Sequence, residues 1–377
     1  MSATGQRKDT TGTPRLLRTL GDDVLVVIED MMRVGVGRSV GGTLAGLEAF
    51  YLSRDEQRQL EQLGAGRRLL RRSWWFVRGL LLKLTSARRI MLFVALICIS
   101  LGWGRVDINT VHFEFHFSGL GTLLLFVVLV LELKDKLIAK DELKAGRAVQ
   151  IALMPTDSPS VPGWDAWLYT QPANDVGGDV VDHLPLDGGQ HAVLLGDVTG
   201  KALPAALLAV KVQATLRALA PHFPNLGDLA SAVNRILYRD GLPTRFVSLV
   251  YAVLTANAGR VRLLIAGHMP PLVCHATSVS VLPQGSMVIG MMPDVPFWEQ
   301  EVTLEVGDTL VVYSDGVSEA MNDAEEFFGD ERLQALVLKT RGMPAAQAGQ
   351  FILDELSRFV GLAEQSDDVS LMVLRRL

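Results

Sequence analysis

Cysteine is almost missing from this 377-residue chain. Only Cys98 and Cys274 occur, one inside an apolar run and one near a Pro-Pro pair. Two such residues exclude a disulfide framework and a Cys-based zinc site, and they point to a reducing compartment. Residues 1–14, MSATGQRKDTTGTP, contain no apolar core of the kind a secretory signal needs, and 1–15 are expected to form a disordered tail. Phosphate-loop spacing is lacking as well. GVGRSVGGTLAG has glycines without that spacing and reads as a loop or a close helix contact, while GDVTGKA places three residues between its glycines and Ala202 after its lysine. A basic excess is absent from the C-terminal part. Residues 151–377 hold 14 Lys/Arg against 26 Asp/Glu, a balance of −12, which makes a poor nucleic-acid binder and suits divalent cations.

Apolar residues, in contrast, make up 49% of the chain, and residues 1–150 carry 22 Lys/Arg against 15 Asp/Glu. A basic, apolar-rich half beside an acidic half suggests a membrane part joined to a globular domain. Residues 16–66 mix helical patches and glycines without identifying a role. Residues 67–89 interleave Arg and Lys with Trp74, Trp75, Phe76 and leucines, the composition of a helix in a lipid headgroup layer. Two uncharged runs follow, Ile90 to Gly104 and Phe115 to Leu131, of 15 and 17 residues. At ~1.5 Å per residue they reach roughly 22 and 25 Å, short of a ~30 Å hydrocarbon core but within what snorkelling Arg88, Arg89, Arg105 and Lys134 and bilayer thinning accommodate. A two-span transmembrane hairpin over 90–133 is expected. Its connector holds one Arg against two acids and its outer flanks are rich in Lys/Arg, so the N-terminus and the C-terminal domain are expected on the cytoplasmic side of a cytoplasmic membrane. Residues 134–155 predict a linker helix that Pro155 ends. Its stripe of Leu133, Leu137, Lys140 or Lys144, Ala148 and Ile151 is compatible with a short coiled coil in a homodimer and equally with a solvated connecting helix.

From residue 164 onward short apolar runs alternate with turns, and helical stretches such as PAALLAVKVQATLRALA lie between them. Strands outnumber helices, which predicts a layered α+β domain of antiparallel hairpins. Within VGGDVVDHLPLDGGQHAVLLGDVTGK, residues 176–201, two apolar strands flank a Gly-Gly turn and carry Asp179 and Asp197 at their ends. A two-residue turn at Gly188-Gly189 pairs residues whose numbers sum to 377 and sets Asp179 opposite Val198. A three-residue turn makes the sum 376 and sets Asp179 opposite Asp197. Opposed strand residues have Cβ atoms ~5 Å apart, so two carboxylates there need a proton or a cation between them. Lys201 is one such cation and a metal ion another. Asp315 ends the strand TLVVYSDG, and Asp367 and Asp368 begin DDVSLMVL. Carboxylates at strand ends without clustered Cys or His form an all-oxygen set suited to Mg²⁺ or Mn²⁺. Singly, each Asp-Gly step is also ordinary turn chemistry.

In order, QPANDVGGDVVDHLPL, LLGDVTGKALPAALLA, FVSLVYAVL, LLIAGHMPPLV, YSDGVSEAMN and SDDVSLMVLRRL resemble the stage II sporulation protein E type of serine phosphatase domain. That type is the bacterial branch of the metal-dependent, type 2C (PPM) protein phosphatases, and the resemblance covers about residues 145–377. It implies a PPM-type β-sandwich flanked by helices over 156–377. It also implies two Mn²⁺ or Mg²⁺ ions, with Asp179 and Asp197 as the central catalytic ligands, Asp197 bridging both ions, and the Val198 carbonyl adding an oxygen. Asp315 and Asp367 would complete the second ion's shell, with Asp368 an alternative to Asp367. The implied activity is hydrolysis of a phosphoserine on a cytosolic regulatory protein such as an anti-sigma-factor antagonist, in signal transduction. His268 is expected to shape a turn. Two alternatives stand beside this reading: a non-catalytic phosphatase-like membrane receptor or scaffold, and, because GGDVVD is similar to the Gly-Gly-Asp hairpin of diguanylate cyclases, a nucleotide cyclase. The cyclase reading lacks a second acid at Val180-Val181.

Overall fold

A computed structural model of the chain describes residues 71, 74, 75, 78, 79, 81–108, 111–155, 159–240 and 245–377. The expected tail 1–15, the region 16–66 and part of the basic segment 67–89 lie outside the described residues. The chain divides into two units, Met1–Lys134 and Asp135–Leu377.

In the first unit, helix α1 (Ser86–Leu101) is followed by an antiparallel pair, β1 (Trp103–Ile108) and β2 (Val111–His116), and then by helix α2, Phe117–Leu153, which runs on into the second unit. Gly121 brings α2 against α1, because a Cβ there would lie 2.6 Å from the Ala95 carbonyl oxygen. Ala95 and Val128 are buried, whereas Phe93, Ile97, Leu123 and Phe126 are exposed. Arg88 pairs with Glu132 at 2.8 Å. The two apolar runs thus largely become helices, but the first helix starts four residues before its run and stops three residues short of the run's end. Gly102, at φ 60°, ends α1, and the alternating VHFEFH pattern forms a strand where a plain connector was expected.

The second unit is a sandwich of two antiparallel sheets with helices outside. One sheet has the order β11-β8-β7-β6-β5 and the other β10-β9-β12-β13-β4-β3. Their strands, in chain order, are β3 (Ser160–Val161), β4 (Trp164–Gln171), β5 (Val180–Leu186), β6 (Gln190–Val198), β7 (Val247–Thr255), β8 (Arg260–Ala266), β9 (Leu272–Cys274), β10 (Val279–Val281), β11 (Gln300–Thr303), β12 (Thr309–Tyr313) and β13 (Val369–Arg376). Central strands are covered on both faces, which is why they read as unbroken apolar runs. In β6, Val193 and Leu195 enter the layer between the sheets with Val250, Leu310 and Met372, while Ala192 and Leu194 face the helix layer. That layer holds α3 (Ala202–Leu219) and α4 (Leu226–Asp240). On the far side, α6 (Asp330–Lys339) and α7 (Ala345–Val360), with the four-residue α5 (Asp315–Ser318) before them, cover the second sheet through Leu333, Val337 and Ile352.

Among the described residues, Phe117–Leu153 and Ala202–His222 are long and apolar enough to cross a membrane by length and composition. The second packs Ala205, Ala209, Val212 and Leu216 into the sandwich and is a core helix.

The β5–β6 register settles the turn length. Leu186 pairs with Gln190 and Val180 with Gly196, so the numbers sum to 376. Asp187–Gly189 form a three-residue helical turn in which Gly188 and Gly189 adopt φ 68° and 70°, a region that glycine enters without steric cost. Continued by one residue, this register carries Asp179 to the level of Asp197.

Candidate metal centre

Asp179 immediately precedes β5, and Asp197 is the penultimate residue of β6 in the same sheet. Asp315 follows β12, and Asp367 and Asp368 precede β13, whose Leu371 pairs with Tyr313. Each sheet therefore sends carboxylates to one end of the sandwich. Gly316 allows the second pair of segments to meet, since a Cβ on it would lie 2.0 Å from the Asp368 carbonyl oxygen.

The acids feel one another. Burial, and then Asp197, holds the Asp179 carboxyl well above the usual range, against the hydroxyl of Ser370, which donates to its Oδ2. Asp197 is pushed up to about 7 by burial and by Asp315, Asp367 and Asp368, with Lys201 acting in the opposite direction. Asp315 is raised by burial, then by Asp367 and Glu319. Lys201 Nζ lies 3.1 Å from Asp367 Oδ2 and donates to the Ser366 carbonyl at 2.7 Å. One lysine against five carboxylates leaves the site electron-rich, and only protons or added cations relieve that.

Asp367 and Asp368 differ sharply. Asp368 is buried and uses both oxygens on backbone: Oδ1 accepts the Ala173 N–H at 2.8 Å, and Oδ2 accepts those of Gly178 at 2.6 Å and Asp179 at 3.3 Å. The Asp367 side chain is 43% exposed and keeps Oδ2 at the lysine. Beside Asp179, a Cβ on Gly178 would lie 3.0 Å from the Val198 carbonyl oxygen and 3.7 Å from Asp197 Oδ1, so these oxygens converge on the Gly-Gly segment. Among the described residues, no group of three or more His, Cys, Asp or Glu side chains is drawn close enough to hold an ion as it stands. The donor chemistry nonetheless fits hard divalent cations: oxygen only, strand-borne and short of positive charge.

His268 bonds to Ser248 and Tyr313 rather than to the acids. Its ring bridges the two sheets, with Nε2 donating to the Tyr313 carbonyl at 3.0 Å and Nδ1 accepting from the Ser248 hydroxyl at 2.9 Å. Three supporting residues carried no sequence signal. Ser370 orients Asp179 and also meets Thr170 Oγ1 at 2.8 Å. Ser314 Oγ accepts the Ser370 N–H at 2.8 Å and donates to the Asp368 carbonyl at 3.0 Å. Gln150 pairs with the backbone of Gly177.

Two antiparallel sheets between helix layers, with acids gathered at one end, define a type 2C-like phosphatase fold. The chain matches the family described as stage II sporulation protein E (SpoIIE) over residues 187–377 and belongs to it. The match includes Asp197, Asp315, Asp367 and Asp368 and begins after Asp179. The chain is 26% identical over 239 residues to the phosphoserine phosphatase RsbU of Bacillus subtilis, covering 63% of this chain and 70% of RsbU. It is 25% identical over 273 residues to protein IcfG of a Synechocystis species, covering 65% of this chain but only 43% of IcfG. Among solved structures, the SiaA-PP2C domain of Pseudomonas aeruginosa superimposes with a TM-score of 0.54 at 19% identity, covering 64% of this chain and 98% of that domain. The PP2C phosphatase domain of B. subtilis SpoIIE, solved with a fragment of its regulatory domain, gives a TM-score of 0.51 at 17% identity, covering 56% of this chain and 61% of that one. These two likenesses concern the fold.

Proposed function

We propose that this chain is a metal-dependent protein phosphatase acting on phosphoserine or phosphothreonine in a cytosolic regulatory protein. The observation that carries the reading is the convergence of Asp179 and Asp197 from one sheet with Asp315 and Asp367 from the other, in a family whose relative RsbU is a phosphoserine phosphatase. Asp179, Asp197, the Val198 carbonyl, Asp315 and Asp367 are the proposed ligands of two Mn²⁺ or Mg²⁺ ions. Bound divalent cations supply a water of lowered pKa and neutralise charge on the phosphoryl oxygens. Asp368 is assigned to the backbone, because its oxygens already accept three N–H groups. Ser370 fixes the direction of the Asp179 carboxylate, and Lys201 holds the loop of Ser366 and Asp367 beside the Gly200 turn.

Membrane anchoring through α1 and the first half of α2 belongs to the same proposal. Its support is the outward apolar surface of Phe93, Ile97, Leu123 and Phe126 and the uncharged length of the helix beginning at Phe117. An anti-sigma-factor antagonist is the proposed substrate class, by the resemblance of the motifs to stage II sporulation protein E-type phosphatases.

The test is phosphate release by the full chain, in detergent or nanodiscs, from a phosphoserine peptide. Release that needs Mn²⁺ or Mg²⁺ and stops in EDTA supports the reading; release that ignores EDTA contradicts it. Alkaline carbonate extraction tests the anchor, which predicts retention in the membrane pellet.

A further inference from the structure

The end of α2 reaches the candidate metal centre. Gln150, 6% exposed, donates from Nε2 to the Gly177 carbonyl at 2.8 Å and accepts the Gly177 N–H on Oε1 at 3.2 Å. One side-chain amide thus satisfies both polar groups of one peptide residue, as a neighbouring strand would. One turn on, the Leu153 carbonyl accepts from Gln213 at 2.8 Å and from Arg217 at 3.0 Å, and Arg217 grips Asp182 with two bonds of 2.7 Å. The segment from Gly177 to Asp182 is therefore tied to the last turn of α2 at both ends, and Asp179 lies between the ties.

Geometry gives these ties a purpose beyond packing. Gly177 and Gly178 have the widest backbone freedom of any residues, so the chain that delivers Asp179 is not fixed by its own sterics. Asp368 holds this segment from one side through Gly178 and Asp179. Gln150 holds it from the other. Gln150, Met154, Asp179 and Gln213 line one small gap between the helix and the Gly-Gly segment. A shift of the end of α2 is passed toward Asp179 through the two Gln150–Gly177 hydrogen bonds.

We propose that Gln150 is a positioning residue for the metal centre: its amide sets the place of the Gly177-Gly178 segment and so presents Asp179 to the cation. The inference rests on the metal-dependent phosphatase reading. It makes the last turn of α2 part of the site, although that turn precedes the sandwich in sequence.

The full chain and two variants, Gln150→Met and Gln150→Ala, decide it. Methionine keeps the length and volume but has no amide, so a role in packing alone would survive Gln150→Met and fail only in Gln150→Ala. Calorimetric titration with Mn²⁺ is expected to show affinity about tenfold weaker in both variants, the order of loss that follows removal of an outer-shell partner. Phosphopeptide turnover in the variants should recover as Mn²⁺ is raised, with KM for the peptide unchanged. Hydrogen exchange of the amides of 177–179 should quicken in both. Wild-type affinity and wild-type exchange in Gln150→Met would overturn the proposal. Should both variants fail to fold, exchange in the unaltered chain decides: a Gly177 amide that exchanges as fast as exposed loop amides overturns it, and a protected one upholds it. Failure of the phosphatase reading shows separately, as absence of phosphate release from the unaltered chain.

Discussion

Ser370, on the sheet that carries Asp315 and Asp367 at its end, donates its hydroxyl hydrogen to the carboxylate of Asp179, which belongs to the opposite sheet. The bond is buried and crosses the sandwich at the candidate metal centre. Ser370→Ala removes the donor and leaves a buried carboxylate oxygen without a partner. The expected cost is about 1–3 kcal/mol of stability, read from urea unfolding of the metal-free chain. Mn²⁺ affinity should also fall by roughly tenfold, because the carboxylate loses the group that orients it. Unchanged affinity would separate Ser370 from the site.

Neighbouring acids should behave differently. Asp368→Asn replaces an oxygen that faces backbone N–H groups with an NH₂ that cannot accept from them, so it should lower thermal stability markedly. Asp367→Asn acts on a half-exposed side chain that meets Lys201. It should leave the melting temperature of the metal-free chain nearly in place while weakening Mn²⁺ binding. Melting curves with and without Mn²⁺ distinguish the two, and the reverse pattern would exchange their assigned roles.

His268 supplies the pH test. Burial lowers its pKa from 6.5 to about 4, and its ring is held as the neutral tautomer that donates to Tyr313. Folding therefore favours the uncharged ring. The stabilisation is complete above the unfolded value of 6.5 and is lost as pH falls toward about 4. The stability gap between the wild type and His268→Gln should narrow between pH 7 and pH 4, measured by urea midpoints. An imidazole that titrates near 6.5 in the folded chain would contradict this.

Much of the centre was legible in the sequence because its acids occur at strand ends beside glycines, where apolar periodicity breaks. The Gly188-Gly189 turn admitted two registers one residue apart, and counting could not choose between them. What chose was turn conformation, with Asp187 drawn into the turn and both glycines at positive φ. Asp367 and Asp368 are chemically identical neighbours. They part only in the partners that folding brings to them, Lys201 for Asp367 and the backbone N–H groups of Ala173, Gly178 and Asp179 for Asp368. Ser370 and Gln150 had no signal at all, since a single hydroxyl or amide acquires meaning only from the partner that folding brings to it. The β1–β2 pair was hidden for another reason. The uncharged runs drew Trp103, Gly104 and Phe115 into expected membrane spans, although VHFEFH alternates with a strand's period.

Phosphate release is proposed to depend on cations held by carboxylates from both sheets, and Asp197 is the residue whose change tests this most sharply. The measurement is phosphate release from a phosphoserine peptide by the full chain and by Asp197→Asn, each across a Mn²⁺ titration. Metal-dependent release by the wild type and a loss of at least about a hundredfold in the variant are expected, the upper end of what removal of an outer-shell partner costs. Asp197→Asn that releases phosphate at the wild-type rate, or release by either chain that persists in EDTA, would contradict the proposal.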